Sequence, residues 1–136
     1  MEKFYVGPDK NILKENVLSV QEMVVAVEIP NPGAMAKGVY LKLKERQAFD
    51  FAVVSVAVNL SLKDNFVDRA RIAFGGLAPF PMRAAKAEAI LRDKGVKDAI
   101  SAACKECTDG AQPLSQNSYK VDAARGILEE ALISLA

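Results

Sequence analysis

A row of three cations is the first feature of the sequence whose residue types and spacing could support chemistry. Lys42, Lys44 and Arg46 alternate along the chain, so a β-strand would place all three side chains on one face. The row leads into Gln47-Ala48-Phe49-Asp50, where polar sequence changes abruptly to apolar. Cations at a strand end can meet an anionic ligand or a carboxylate. A solvated, purely structural face is the alternative, and the residues alone leave both interpretations open.

A C-x-x-C motif, Cys104-Lys105-Glu106-Cys107, is the second candidate. A redox dithiol is expected at the start of a helix that follows a strand, because the helix dipole lowers a thiol pKa there. These two thiols instead fall late in an apolar helical stripe, which favours small buried side chains near a helix end. A thiol redox protein is the less favoured hypothesis. Two cysteines form neither a disulfide framework nor a four-cysteine metal site, and the set is typical of a reducing compartment.

A glycine-rich connection is the third candidate. Gly75-Gly76-Leu77-Ala78-Pro79 follows a strand pattern and precedes a helical one, which is the outline of a phosphate-binding loop. The spacing matches neither common phosphate-binding motif, and its prolines remove amide donors. A tight connection between strand and helix is therefore the favoured interpretation.

Composition narrows the classes of function. The 136 residues contain no His and no Trp, and 18 basic against 17 acidic residues leave a net charge of +1. The lack of His excludes Ser/His and Cys/His catalysis and His-ligated metal sites. So small a net charge would attract neither a nucleic acid nor an anionic membrane, and no apolar stretch is long enough to span a bilayer. Because no carboxylate pair stands out either, we expect a cytoplasmic binding or accessory domain over residues 1–136, not catalytic on its own.

The hydrophobic period changes from two residues to the helical period along the chain. Strand patterns occupy the first half and helical patterns the second. This order predicts an α+β fold in which an antiparallel sheet of three to four strands packs against a layer of three helices. The predicted strands are Phe4–Val6, Gln21–Ile29, Gly38–Lys44, Phe51–Leu62 and Val67–Phe74, and the predicted helices are Met82–Asp93, Val96–Cys107 and Gln116–Leu135.

Two stretches in this order carry a resemblance to a known family. Residues 42–50 read K-x-x-x-R-x-A-x-D, and residues 71–84 read R-I-A-x-G-G-x-A-P-x-P-x-R-A. Together with Phe4-Tyr5-Val6-Gly7-Pro8 and the strand pattern ending in Val27-Glu28-Ile29-Pro30, they resemble the C-terminal domain of the flavin subunit of molybdenum hydroxylases. This group includes carbon monoxide dehydrogenase flavoprotein and xanthine dehydrogenase. The resemblance covers nearly the whole chain and weakens after Cys107.

The resemblance implies a role and a set of site residues. Members hold FAD mainly on a preceding phosphate-binding domain, which is absent from this chain, so the FAD would be shared with that domain or a partner chain. The C-terminal domain closes one side of the flavin pocket. By this analogy Lys42 lies at the flavin and Val24 contacts it. Arg46 and Asp50 lie next to the flavin, where they would position the loop or tune the surroundings of the ring.

The resemblance also implies partners. Electrons would pass from a molybdopterin subunit through an iron–sulfur subunit to FAD and then to an acceptor. The sequence departs from relatives that carry an acidic pair before the buried strand, since Phe49-Asp50 leaves one carboxylate. A non-enzymatic interaction domain that keeps the fold without flavin is the alternative hypothesis.

Overall fold

The computed structural model describes residues 4–136 and divides the chain into two compact units, Met1–Asn31 and Pro32–Ala136. The second unit contains a four-stranded sheet whose strand order follows the sequence. Its strands are β1 (Ala36–Leu43), β2 (Val54–Lys63), β3 (Phe66–Gly75) and β4 (Met82–Arg83). All neighbouring pairs are antiparallel.

Three helices follow the sheet along the chain: α1 (Ala85–Leu91), α2 (Val96–Glu106) and α3 (Tyr119–Leu135). They pack on one face of the sheet, and α3 contacts both β1 and β2. The predicted α+β class, with an antiparallel sheet against three helices, is confirmed.

Burial in the sheet alternates with a period of two, as the sequence predicts. In β2, Val54, Val56, Val58 and Leu60 are buried, whereas Ala57 is exposed on the opposite face. A sheet covered on one face requires this alternation. The helices cover that face with buried side chains of their own, namely Ala87, Leu91, Val96, Ala99, Ala103, Cys104, Ala124, Ile127, Leu128, Ala131, Leu132 and Leu135.

A two-residue turn joins β2 to β3. Asp64 and Asn65 adopt φ values of 52° and 68°. A two-residue hairpin turn with positive φ at both central positions matches the twist of its strands, and Asn and Asp tolerate that conformation better than most residues. The turn therefore fixes the pairing of the two central strands.

The helix predicted over Met82–Asp93 begins later than expected. Pro81 holds the residue before it extended, and Met82 and Arg83 then pair with Phe74 and Ala73 as the short strand β4. The backbone groups of β4 find partners on β3 at once, whereas a first helical turn leaves its amides unpaired. Helix formation consequently starts at Ala85.

Beyond the end of β4, the outer edge of β3 is covered by the Glu88 side chain and by loop residues. The Glu88 carboxylate accepts the Ile72 amide (2.8 Å), and the Ile72 carbonyl accepts the Ala84 amide (3.0 Å). Further along, Val67 exchanges two backbone hydrogen bonds with the loop at Asp93 and Lys94. Glu88 thus occupies the place of a missing neighbouring strand. Strand β1 forms the other edge of the sheet, and no further strand within residues 4–136 pairs with it.

Glu88 is also the centre of an ion-pair cluster. Its side chain is 8% exposed and accepts two hydrogen bonds from the Arg83 guanidinium, at 2.7 and 2.5 Å. Arg71 Nη1 lies 3.8 Å from the same carboxylate. These donors offset the cost of burying the Glu88 charge. Removal of either the carboxylate or its arginine partner would leave an unpaired charge in this buried position.

In the first unit, the strand predicted over Phe4–Val6 is reduced to a single bridge between Tyr5 and Asn16. Backbone hydrogen bonds from Val6 to Glu15 and from Val17 to Phe4 support this bridge. The unit is therefore organised by a few local backbone contacts.

The strand predicted over Gln21–Ile29 is wrong for this structure. Residues 22–33 contain neither helix nor strand, and residues 23–30 make no hydrogen bond with any other described residue of their unit. A strand needs a neighbour that satisfies its backbone groups. The pattern of alternating apolar residues is present, but no strand among the described residues of this unit pairs with it. We refer to Gln21–Ile29 as the apolar strip.

No helix formed by residues 4–136 is both long enough and apolar enough to cross a membrane.

Replacement of Glu88 tests how far the β3 edge depends on this carboxylate. Glu88→Ala leaves the Ile72 amide and the Arg83 guanidinium without their acceptor, so we expect the free energy of unfolding to fall by about 2–4 kcal/mol. Urea denaturation measures this loss. Glu130→Ala removes a carboxylate from the exposed face of α3 and should change the free energy by no more than about 0.5 kcal/mol. Equal effects of the two substitutions would contradict the edge-closing role.

Candidate functional site

Lys42 projects from β1 on the face of the sheet that the helices leave uncovered. Its neighbours Leu41 and Val39 pack partly against the core, so Lys42 and Tyr40 point to the opposite side. The register pairs Lys42 with Ser55 and Tyr40 with Ala57, and β3 continues the same face with Ala73 and Gly75. Small side chains around Lys42 make this part of the face accessible to a flat group.

The cation row does not lie on one strand face, because β1 ends at Leu43. Lys44 and Arg46 belong to the loop that leads to β2, which we call the cation loop (residues 44–53). Lys44 Nζ donates to the carbonyls of Gln47 and Ala48, at 3.3 and 3.4 Å. The prediction of a single row was wrong because the chain turns after Leu43, and the Lys44 ammonium group then donates to carbonyls of the loop itself.

Lys42 ties the cation loop back to the sheet. Its Nζ donates to the Asp50 carbonyl (3.1 Å) and lies 5.6 Å from the centre of the Phe49 ring, within the range of a cation–π interaction. Because these contacts engage the ammonium group from the loop side only, Lys42 remains an exposed cation on the uncovered face.

Arg46 and Asp50 form a two-point ion pair within the cation loop. Arg46 Nε and Nη2 donate to the two carboxylate oxygens of Asp50, at 2.9 and 3.2 Å, and the Phe51 amide donates to the same carboxylate (2.9 Å). The Arg46 guanidinium is the main cause of a lowered Asp50 pKa, and the Phe51 amide and the charges of Lys42 and Lys44 add to it. The predicted meeting of a cation with a carboxylate is found here, inside the loop itself.

Sequence reasoning missed two aromatic residues at this site. Phe49 and Phe51 flank Asp50 and are 103% and 94% exposed. Large apolar side chains this exposed usually mark a surface that another molecule covers. The detectable signal was two phenylalanines on either side of the motif aspartate. Phe51 lines a shallow cleft with Arg46, Asp50 and Tyr119.

The glycine pair Gly75-Gly76 supports the base of the cation loop. A Cβ atom on Gly75 would lie 2.7 Å from Ser55 Oγ, and one on Gly76 would lie 2.8 Å from the Val53 carbonyl oxygen. Gly76 also has φ of +78°, and its carbonyl accepts Lys120 Nζ (2.9 Å). The pair therefore acts as a tight connection that lets β3 approach the end of the loop.

Val24, the fourth residue implied by the resemblance, lies in the first unit and is 53% exposed. The second unit brings together Lys42, Arg46 and Asp50 without it. Its role at a flavin stays a prediction.

The cysteine pair has the properties of a structural feature. Cys104 lies in the last turn of α2 and Cys107 follows the helix end. The Cys107 thiol donates to the Cys104 carbonyl (3.1 Å). Burial raises the pKa of Cys104 to about 12 and that of Cys107 to about 11. Neither thiol has the lowered pKa of a reactive dithiol.

Within residues 4–136, no group of three or more Cys, Asp or Glu side chains is arranged to hold a metal ion.

Comparison with known proteins finds relatives of this chain. A family model described as the CO dehydrogenase flavoprotein C-terminal domain matches residues 39–135. The aldehyde oxidoreductase FAD-binding subunit PaoB of Escherichia coli (strain K12) is 32% identical over 131 residues, which is 95% of this chain and 37% of that protein. The glyceraldehyde dehydrogenase medium chain of Sulfolobus acidocaldarius is 35% identical over 77 residues, which is 57% of this chain and 27% of that protein.

Solved structures share the fold. The reconstituted CO dehydrogenase from Oligotropha carboxidovorans superposes with a TM-score of 0.84 at 24% identity, covering 96% of this chain and 46% of that one. A carbon monoxide dehydrogenase from Hydrogenophaga pseudoflava gives 0.68 at 30% identity, covering 74% and 37%. The chain thus spans less than half the length of these relatives. The matches confirm the resemblance that the two sequence motifs indicate.

Titration of Asp50 tests the ion pair in the cation loop. With Arg46 in place, the Asp50 carboxyl should titrate below 3.8, and Arg46→Gln should raise its pKa towards that value. Because the Asp50 pKa is lowered in the folded loop, the ion pair contributes its full stabilisation at pH values above the pKa of the unfolded chain. This stabilisation is lost as the pH falls through the pKa of the folded chain. The chemical shift of the Asp50 carboxyl carbon, followed by NMR during acidification, gives the Asp50 pKa with Arg46 in place and in Arg46→Gln. Arg92→Gln, on an exposed arginine away from the loop, should not move the pKa of Asp50, and an equal shift would refute the assignment.

Alkylation of the thiols tests their structural role. At pH 8 a thiol with a pKa near 11 or 12 is almost wholly protonated. Iodoacetamide should therefore modify the folded chain roughly 100-fold more slowly than the chain unfolded in guanidinium. Mass spectrometry of timed samples gives both rates. Fast modification of the folded chain, or a reversible Cys104–Cys107 disulfide, would restore the thiol redox hypothesis.

Proposed function

Since the chain belongs to the family of CO dehydrogenase flavoprotein C-terminal domains, we propose that it closes one side of the flavin pocket in an FAD-dependent oxidoreductase of the molybdenum hydroxylase group. In this role it takes part in electron transfer and is not catalytic alone. The observation that carries the proposal is the placement of Lys42, from a motif inside the matched region, on the uncovered face of the sheet.

The chemistry of the uncovered face suits a flavin ring. An isoalloxazine is flat, largely apolar on its faces, and carries carbonyl and nitrogen acceptors at its rim. Ala57, Ala73 and Gly75 have short side chains or none, so a flat ring could approach this face closely. Lys42 supplies a cationic donor beside them. A cation near the ring favours the extra negative charge of the reduced state. We therefore assign Lys42 to direct contact with FAD.

Arg46 and Asp50 would act through the cation loop. Their ion pair and the bond from Lys42 Nζ to the Asp50 carbonyl hold the loop in one conformation beside the uncovered face. A loop ordered before the ligand arrives loses less conformational entropy on binding. Both are positioning residues in this proposal. The contact of Val24 with the flavin is proposed on the resemblance alone.

Bound FAD would supply the transfer of electrons between one-electron and two-electron partners. Of the relatives named above, one is the FAD-binding subunit of an aldehyde oxidoreductase and the other is the medium chain of a glyceraldehyde dehydrogenase, which supports a shared FAD and partner polypeptides. We propose that these partners are a flavin-phosphate-binding domain or chain, an iron–sulfur subunit and a molybdopterin subunit. The substrate would then be chosen by another polypeptide.

Lys42→Ala tests direct contact with the flavin. Loss of one charged donor should weaken flavin retention or slow flavin reoxidation roughly tenfold in the assembled enzyme. The flavin-to-protein absorbance ratio and stopped-flow reoxidation measure these quantities.

Lys37→Ala is the matched control, because it removes a cation from the same strand at a position where the side chain points to the other face. Circular dichroism should show both variants folded. Unchanged flavin content and turnover in Lys42→Ala would refute the role of Lys42. A native assembly without any flavin would instead favour the non-enzymatic interaction domain.

A further inference from the structure

Lys42 differs from Arg46 in the kind of group that holds it. The Arg46 guanidinium is paired with the Asp50 carboxylate at 2.9 and 3.2 Å, so these two charges offset each other. Lys42 Nζ is held by neutral groups, namely the Asp50 carbonyl at 3.1 Å and the Phe49 ring, whose centre lies 5.6 Å away. None of the ion pairs formed by residues 4–136 includes Lys42. The Lys42 charge is therefore positioned without a carboxylate partner to cancel it.

Phe49 is suited to this task by its chemistry and not by its packing. Its side chain is 103% exposed, so it adds nothing to the apolar core. The electron-rich face of an aromatic ring attracts an ammonium group while it remains uncharged. A carboxylate at position 49 would also attract Lys42, but it would cancel the charge. An aliphatic side chain would leave the charge intact without holding it. An aromatic ring both holds the ammonium group and preserves its charge.

The preserved charge matters because a reduced flavin carries more negative charge than an oxidised one. An uncancelled cation at the ring stabilises the reduced form more than the oxidised form, and this preference weakens when a carboxylate lies beside the cation. A cation that is already held in place also loses less conformational entropy when the flavin binds. Both effects act through Lys42, so the ring of Phe49 need not touch the flavin.

We propose that Phe49 is a positioning residue for Lys42. Its ring holds the ammonium group at the rim of the flavin by a neutral contact, so that the full charge acts on FAD and raises its midpoint potential. This inference rests on the proposed function, because Lys42 acts on the flavin only if FAD lies against the uncovered face.

NMR of the chain without FAD tests the contact itself. Protons above an aromatic ring are shifted upfield, so the Hε signals of Lys42 should lie upfield of those of Lys37, which points to the other face of the same strand. Phe49→Leu should abolish this difference, and the conservative variant Phe49→Tyr should keep it. Phe66→Leu is the matched control, because Phe66 is a half-exposed phenylalanine at the hairpin end of the sheet. It should leave the Lys42 signals unchanged.

The midpoint potential of the flavin in the assembled enzyme tests the consequence. In Phe49→Leu, reduced FAD should lose roughly two- to fivefold in affinity relative to oxidised FAD, which is the value of an exposed cation–π contact. This change lowers a two-electron midpoint potential by about 10–20 mV. Phe49→Tyr should restore the potential. A spectroelectrochemical titration of the flavin absorbance measures it.

Phe49→Glu separates the position of Lys42 from its charge. The carboxylate can still hold the ammonium group, but it cancels the charge, so the relative affinity for reduced FAD should fall roughly tenfold, or by about 30 mV. This loss exceeds that of Phe49→Leu and approaches that of Lys42→Ala. Phe66→Glu adds the same charge at the hairpin and should change the affinity by less than about twofold, because salt screens distant surface charges. Since Phe49 is fully exposed, its variants should keep the unfolding midpoint of the chain.

The outcomes distinguish this inference from the function on which it rests. Lys42 signals that do not respond to Phe49→Leu overturn the inference. A potential that falls in Lys42→Ala but not in Phe49→Leu or Phe49→Glu also overturns it, and leaves Lys42 at the flavin. If Lys42→Ala changes neither the potential nor the flavin content, the flavin contact fails and the inference fails with it. An assembly that contains no flavin overturns both.

Discussion

The burial of one face of β2 is the constraint on which the rest of the second unit depends. Val54, Val56, Val58 and Leu60 can leave water only if β2 is central, with a neighbour on each edge and α3 across its face. Once these four side chains face the helices, the register with β1 places Ser55 opposite Lys42. The same register with β3 brings Gly75 against Ser55. The position of Lys42 on the uncovered face is thus a consequence of core packing, because a shift of one residue would turn every side chain to the other side.

This constraint also explains why the cation loop can be ordered while it is exposed. Its two ends are fixed by β1 and β2, and Gly75-Gly76 allows β3 to approach the second end closely. Lys42 at the end of β1 and the loop's own Lys44 and Arg46 donate hydrogen bonds to carbonyl and carboxylate oxygens of the loop. Charge-assisted hydrogen bonds are stronger than neutral ones. The loop therefore keeps its conformation without an apolar core of its own, and its phenylalanines remain available to another molecule.

Sequence patterns predicted the elements whose partners lie nearby in the chain. The two central strands, α2 and α3 were located to within a few residues, because their apolar periods are long and the Asp64-Asn65 turn is local. Periodicity failed where a distant group decides the structure. The short strand β4 forms because β3 offers an open edge beside Met82, and Glu88 closes that edge from a helix. The strip at Gln21–Ile29 has the pattern of a strand, but a pattern cannot state whether a neighbouring strand exists. Likewise, the motif indicated Lys42, Arg46 and Asp50, while their mutual contacts depended on where β1 ends.

The closure of β3 by Glu88, β4 and the loop at Asp93–Lys94 has a consequence for self-association of the folded second unit. Growth of a fibril by edge-to-edge pairing needs two open edges on each molecule, since every copy must accept one neighbour and present a surface for the next. Among the described residues, β1 presents a long open edge, whereas at the other side β4 is only two residues long and Glu88, Ala84 and the loop at Asp93–Lys94 occupy the backbone groups of Ile72 and Val67. A neighbouring copy would find a long row of free backbone groups at β1 and only a short one at the other side. The side-chain carboxylate at that side therefore disfavours open-ended extension of the sheet.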